Sequence, residues 1–137
     1  MDSLKKLKIL VVDDMFVMRK IMKNTLSSLG ILNILDAQDG QKAIDALQSE
    51  TSKELPFDII ISDWNMPLLT GIELLKYCRS HTLFKNIGFI MVTAEIESHQ
   101  EQLAKSEGVD LYLKKPINDI DFTNSLMMVC NKRSIKK

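Results

Sequence analysis

The chain has 137 residues, 45% hydrophobic and 26% charged, which suits one domain with an ordinary apolar core. Its 18 basic and 18 acidic residues cancel, which excludes the broad positive field that holds nucleic acid. No apolar run approaches the roughly 18 residues that span a bilayer, and the first such run ends in two aspartates rather than a cleavage site, so neither a membrane span nor a cleaved leader is expected.

The first element in the chain is a strand at 8–12, rich in Val, Ile and Leu. Met18, Ile21, Met22, Leu26 and Leu29 then keep helical spacing, and Gly30 ends that helix. A second strand at 31–36 is less apolar than the others. Ala43, Ile44 and Leu47 mark the second helix, followed by a rather long loop at 49–58. Buried strands are predicted at 58–62, 88–92 and 109–113. Between them, Ile72, Leu75, Tyr77 and Cys78 mark a helix beginning after Gly71. A fourth helix at about 98–107 is poorly apolar, with Leu103 and Ala104 as its core candidates. The fifth helix opens at Asn118, an N-cap residue with Asp121 three positions on in the manner of a capping box, and Ile120, Leu126, Met127 and Cys130 follow.

Strands alternating with helices predict an α/β fold with a parallel sheet and right-handed crossovers. No repeat or linker divides the chain, which is expected to be a single domain over 1–137 with a core at about 7–131. The lysines near the start (Lys5, Lys6, Lys8) and the basic finish (Lys132, Arg133, Lys136, Lys137) are expected to be solvated. Cys78 and Cys130 lack disulfide or zinc spacing. They are expected to be buried or half-buried thiols in a reducing, cytoplasmic setting.

Sites in such sheets form beyond the carboxyl ends of the strands. Asp13 and Asp14 follow the first predicted strand, Asp63 the third, Thr93 the fourth and Lys115 the fifth. The second ends in 36–39 with no comparable polar requirement. Singly, each residue has a plain alternative. An acidic pair suits a helix start, Asp63 suits a turn before Pro67, Thr93 a structural position and Lys115 the surface. Jointly, three carboxylates repel one another unless a cation sits among them, and hard oxygen donors at an open site suit Mg²⁺. One carboxylate can act as nucleophile toward phosphorus, a fixed lysine can neutralise the transferring oxygens, and a hydroxyl can bond a phosphoryl oxygen.

The stretches ILVVDD at 9–14, DAQDG at 36–40, ISDWNMP at 61–67, GIELL at 71–75, MVTAE at 91–95 and YLKKP at 112–116 together resemble the receiver domains of two-component response regulators. Among these the chain is most similar to the stand-alone, CheY-type chemotaxis regulators. The resemblance spans nearly the whole chain. It implies a doubly wound, flavodoxin-like (βα)5 fold with strand order 2-1-3-4-5. It implies that Asp63 is the phospho-acceptor, and that Asp14, Asp63 and the Asn65 backbone carbonyl hold Mg²⁺, with Asp13 acting through water. Thr93 and Tyr112 are then switch residues, Lys115 the catalytic lysine preceding a cis proline, and Asn65 and Glu95 the pair that tunes dephosphorylation. Lys114 is not the lysine assigned. Implied partners are a CheA-like sensor histidine kinase and a flagellar motor switch protein or phosphatase, met by a monomer. Thr70 departs from the family, which often has Asp there, and so does the composition of the fourth helix.

Three other readings share features of the chain. An FMN carrier would need phosphate-cradling residues where Asp13, Asp14 and Met15 stand. A Mg²⁺ phosphatase would carry a DxDx[TV] pattern rather than DDMFV. A plain adaptor would lack one of the site residues. No output module fits in the residues after the fifth strand, so output is expected to pass through binding another protein, with a phosphoryl relay or phosphate sink as the alternative.

Overall fold

A computed structural model describes residues 4–135. After a 3-10 turn at Leu4–Lys6, strands and helices alternate: β1 (Lys8–Val12), α1 (Phe16–Ser28), β2 (Asn33–Ala37), α2 (Gly40–Ser52), β3 (Ile59–Asp63), α3 (Gly71–Ser80), β4 (Gly88–Thr93), α4 (Ser98–Ser106), β5 (Leu111–Lys114) and α5 (Asp119–Arg133). The strands form one parallel sheet in the order β2-β1-β3-β4-β5.

The central strands carry apolar side chains at successive positions because both faces of the sheet are covered. Alternation along each strand then divides the core in two. Leu10, Val12, Ile60, Phe89 and Met91 face Ile44, Leu47, Leu75 and Ala104, from α2, α3 and α4. Ile9, Val11, Ile61, Ile90 and Val92 face Met22, Leu26, Phe122 and Leu126, from α1 and α5. Crossovers on both faces make the sheet doubly wound. The step from β1 to its neighbours β2 and β3 opens a crevice at the carboxyl edge.

Helix starts follow the local chemistry. Asp39 caps α2 by accepting from the Lys42 N–H at 2.8 Å, and Asn118 caps α5 by accepting from the Asp121 N–H at 2.8 Å. The reciprocal capping box lies on α3, where Thr70 and Glu73 satisfy one another's backbone donors, rather than on α5.

Several expectations need correction. β2 begins two residues later than predicted, because the Ile31 N–H is still bonded back to the Leu26 carbonyl at the end of α1. β5 lies at a sheet edge and is only partly buried, not a core strand. Ile21, Leu103, Ile120 and Met127 are exposed; Phe122, Ser125, Leu126 and Val129 form the buried face of α5, and Ala104 alone is buried in α4. The loop at 49–58 is shortened by α2, which runs to Ser52. Lys8 is not solvated. It is buried, and its ammonium donates to Glu50 at 2.6 Å and to the Leu55 carbonyl at 2.5 Å while lying over the Phe57 ring. Arg133 and Lys132 likewise pair with Asp110. Lys136 and Lys137 lie outside the described residues. Cys78 is buried and Cys130 half-buried, as expected.

Candidate functional site

Parallel register places the strand ends side by side. Val12 pairs with Ala37 and Ser62, Asp63 with Val92, and Thr93 with Lys114. Residues just beyond these pairs therefore share one rim. Asp13, Asp14 and Asp63 each offer a carboxylate oxygen there, all within 4.8 Å of one another. The Lys115 ammonium reaches in from the end of β5, 2.7 Å from Asp13 Oδ2 and 3.7 Å from Asp63 Oδ2.

The carboxylates are not equivalent. The Asp13 side chain is fully buried and both its oxygens are engaged: Oδ1 accepts from the Met15 N–H at 2.9 Å and Oδ2 from Lys115. Asp14 is exposed. Asp63 is buried at the end of β3, with Oδ1 accepting from the Trp64 N–H at 2.8 Å. Its Oδ2 lies beyond hydrogen-bond distance of Lys115 and is the freer oxygen. Burial, above all, holds the Asp63 carboxyl above the ordinary aspartate value. Lys115 pulls it back, Asp13 pushes it further up, and the Trp64 N–H and the Asp14 charge act more weakly in opposite directions.

Thr93 is buried at the end of β4 and its hydroxyl donates to the Glu95 carbonyl at 3.0 Å. Asn65 and Glu95 are exposed in the loops beyond β3 and β4. Tyr112 points inward, its ring edge-on to Trp64 with centroids 6.3 Å apart. Its hydroxyl is buried without a hydrogen-bond partner. Burial is the main cause raising its pKa; the Glu97 backbone and the Thr93 hydroxyl come near and offset this in part, without completing a hydrogen bond. The Lys115–Pro116 bond is cis. The structure thus gathers Asp13, Asp14, Asp63 and Lys115 in one cluster, while Thr93 and Tyr112 take partners outside it, Glu95 and Trp64 respectively.

Two neighbours escaped the sequence reading. Arg19, in the first turns of α1, donates from Nη1 to the Asp13 carbonyl at 2.8 Å and from Nε to Asp36 at 3.0 Å. Asp36 and Asp39, at the strand end read as having no comparable polar requirement, are thus an arginine acceptor and a helix cap. Trp64 is the chain's one tryptophan, and its backbone is bonded to Asp63. Neither pairing has a periodic trace in sequence, because Arg19 and Asp36 meet only once β1 and β2 are laid together.

A doubly wound sheet carrying clustered aspartates and a lysine at its carboxyl rim defines a class, and comparison with known proteins places the chain within it. The protein belongs to the response regulator receiver domain family, whose pattern it matches over residues 9–127. It is 43% identical over 110 residues to the chemotaxis protein CheY of Pseudomonas aeruginosa, covering 80% of this chain and 85% of the relative. It is 41% identical over 110 residues to the chemotaxis protein CheY1 of Helicobacter pylori, covering 80% of this chain and 86% of that one. The solved structure of the Vibrio cholerae chemotaxis protein CheY4 superposes with a TM-score of 0.78 at 32% identity, over 90% of this chain and 98% of that one. No helix among the described residues is long and apolar enough to cross a membrane.

Proposed function

We propose that the protein is a phospho-acceptor switch of chemotaxis, in which Asp63 takes a phosphoryl group from a histidine kinase of the CheA kind. The phospho-form then binds a target such as the flagellar motor switch protein, or a phosphatase. The observation that carries this reading is the convergence of three carboxylate oxygens within 4.8 Å beside a lysine ammonium. It is supported by the likeness to proteins named CheY.

The donor set fits Mg²⁺: every available ligand is a hard oxygen, and the carboxylates outnumber the local cation. Asp14, Asp63 and the Asn65 carbonyl would hold the ion directly. Asp13, whose oxygens already accept from Met15 and Lys115, would act through water. Bound Mg²⁺ would offset the mutual repulsion of the acids and the charge on the transferring phosphoryl oxygens.

Chemically, Asp63 Oδ2 attacks phosphorus as the bond from phosphorus to the donor breaks, leaving an acyl phosphate on Asp63. Lys115 neutralises charge on the new phosphoryl group. Thr93 exchanges its bond to Glu95 for one to a phosphoryl oxygen, and the Tyr112 ring, already turned inward, settles into the space the hydroxyl leaves. Water later attacks phosphorus, releasing phosphate and restoring the carboxylate; Asn65 and Glu95 flank its path and are polar enough to orient it. Met15, Phe16, Val17 and Ile21 form an exposed apolar rim on the acidic side of the site, suited to seating a donor protein. The protein acts as a monomer in the cytoplasm and catalyses only its own phosphorylation and dephosphorylation.

The test is incubation with a small phosphodonor, with and without Mg²⁺, followed by intact-mass analysis and Trp64 emission. One phosphoryl group should add only with Mg²⁺, and Asp63→Asn should add none. Full Mg²⁺-independent labelling, or full labelling of Asp63→Asn, would overturn the reading.

A further inference from the structure

Three clustered carboxylates push apart, so the loop carrying Asp13 and Asp14 needs restraint from outside the cluster. Each polar atom of Asp13 has a partner. Its N–H donates to the Ala37 carbonyl at 3.1 Å, Oδ1 accepts from Met15 at 2.9 Å, Oδ2 from Lys115 at 2.7 Å, and its carbonyl from Arg19 Nη1 at 2.8 Å. Of these partners, Arg19 alone comes from a side chain that touches none of the three carboxylates.

The guanidinium is built into place. Its side chain is 13% exposed, its Nε is tied to Asp36 at 3.0 Å, and its Cζ lies over the Phe16 ring, 5.7 Å from the centroid. A planar fork can donate in two fixed directions at once, which a lysine ammonium cannot match. If Arg19 served only to pair α1 with β2 it would be partly redundant, since Lys23 also approaches Asp36, at 3.7 Å. The contact that Lys23 does not duplicate is the one to the Asp13 carbonyl.

We propose that Arg19 is a positioning residue for the Mg²⁺ site, holding the Asp13–Asp14 loop by the Asp13 carbonyl while Asp36 and Phe16 hold the guanidinium. This rests on the acid cluster being a Mg²⁺ site. Charge and position act in opposite directions here, which makes the inference testable. Removing a nearby positive charge would by Coulomb's law alone tighten Mg²⁺ binding. Releasing the loop would weaken it.

The experiment titrates Mg²⁺ into the full chain at a temperature well below unfolding, following Trp64 emission and the amide NMR shifts of residues 13–15. The variants are Arg19→Lys, Arg19→Gln and Lys23→Ala. Both Arg19 variants should bind Mg²⁺ more weakly, near the lower end of the about 10–100-fold loss typical when partners of metal ligands are removed. Arg19→Lys keeps the charge and should not rescue. Lys23→Ala should bind like wild type, and the Asp14 and Met15 amides should shift in the Mg²⁺-free Arg19 variants. Wild-type affinity in both Arg19 variants, or tighter binding in Arg19→Gln, overturns the assignment while leaving the site reading intact. Failure of the wild-type chain to bind millimolar Mg²⁺ overturns both.

Discussion

Replacing Lys115 by Met should destabilise the metal-free protein sharply at neutral pH and far less in mild acid. The ammonium lies 2.7 Å from Asp13 and 3.7 Å from Asp63. At an effective dielectric constant of about 20 these separations correspond to gross attractions of roughly 6 and 4 kcal/mol. Much of that is offset by the desolvation of the lysine, whose side chain is 13% exposed. Breaking a buried pair by removing one member costs about 3–5 kcal/mol in comparable cases. Protonation sets a ceiling, since a carboxylate left without its cation can take up a proton. From an ordinary aspartate value of about 3.9, that costs about 4 kcal/mol at pH 7 and only about 1.5 kcal/mol at pH 5. The expected loss is therefore about 2–4 kcal/mol at pH 7, shrinking to about 1.5 kcal/mol or less at pH 5. Urea unfolding in chelator at the two pH values measures it. Mg²⁺ should narrow the gap between variant and wild type, because a dication supplies the missing positive charge. A loss below about 1 kcal/mol at pH 7, or one unchanged at pH 5, would refute the electrostatic reasoning.

Further outcomes follow from the same geometry. Asp63→Asn should raise the melting temperature of the Mg²⁺-free protein by about 3 °C for each kcal/mol relieved. Because the folded Asp63 value is raised, mainly by burial, this group favours the fold in its protonated form, and that contribution is lost as pH rises through the folded value. The Asn variant should accordingly gain most at neutral pH and nothing below about pH 3, which paired thermal melts across pH would show. Gly71→Ala places a Cβ against the backbone carbonyl of Asp63 and should cost about 3 kcal/mol or more, read by denaturant unfolding. Burial pushes the Cys78 thiol up to about 12, so a thiol reagent at neutral pH should label the half-buried Cys130 first and reach Cys78 only on unfolding.

The acidic rim was legible because each central strand passes abruptly from buried aliphatics to charged or hydroxyl residues: Val12 to Asp13, Ile61 to Ser62 and Asp63, Val92 to Thr93. A parallel sheet then puts every such transition on one edge. The strand alternation and helix count were legible for the same reason, since burial on both faces confines polar residues to the ends of β1, β3 and β4. Where the two edges of the sheet relax that demand, the reading slipped: β2 was displaced, and β5 was taken for a core strand. Helical spacing likewise named Ile21 and Ile120, which keep the right period but are exposed in the fold. Long-range ion pairs leave no local trace at all. Lys8 meets Glu50 across 42 positions and Arg79 meets Asp110 across 31, so both looked like ordinary surface charges or went unremarked.

The opposite end of the sheet is built to a different purpose. The Asp110 side chain is fully enclosed just before β5, where it is bonded by Arg79 at 3.3 Å, Arg133 at 2.9 Å and the Phe89 N–H at 2.9 Å, with Lys132 nearby. Arg79 also donates to the carbonyls of Gly108, Lys85 and Ile87, joining the ends of α3 and α4 to the start of β4. A buried carboxylate shared by several charged partners is costly to disturb, since moving the elements apart would strand its charge in the interior. At the rim, by contrast, α4 buries Ala104 alone, and its N-cap is a glutamate side chain reaching the His99 and Gln100 N–H groups. A displacement of Thr93 toward the acids would therefore meet little resistance from α4 and strong resistance from the Asp110 lock. Motion should pivot about the α4 end nearest Gly108 and be greatest at 94–99. Amide exchange separates the two ends directly: protection at Phe89 and Asp110 should track global stability, whereas Glu97–Gln100 should open locally. Equal protection at both ends would show that the rim is not the weaker element.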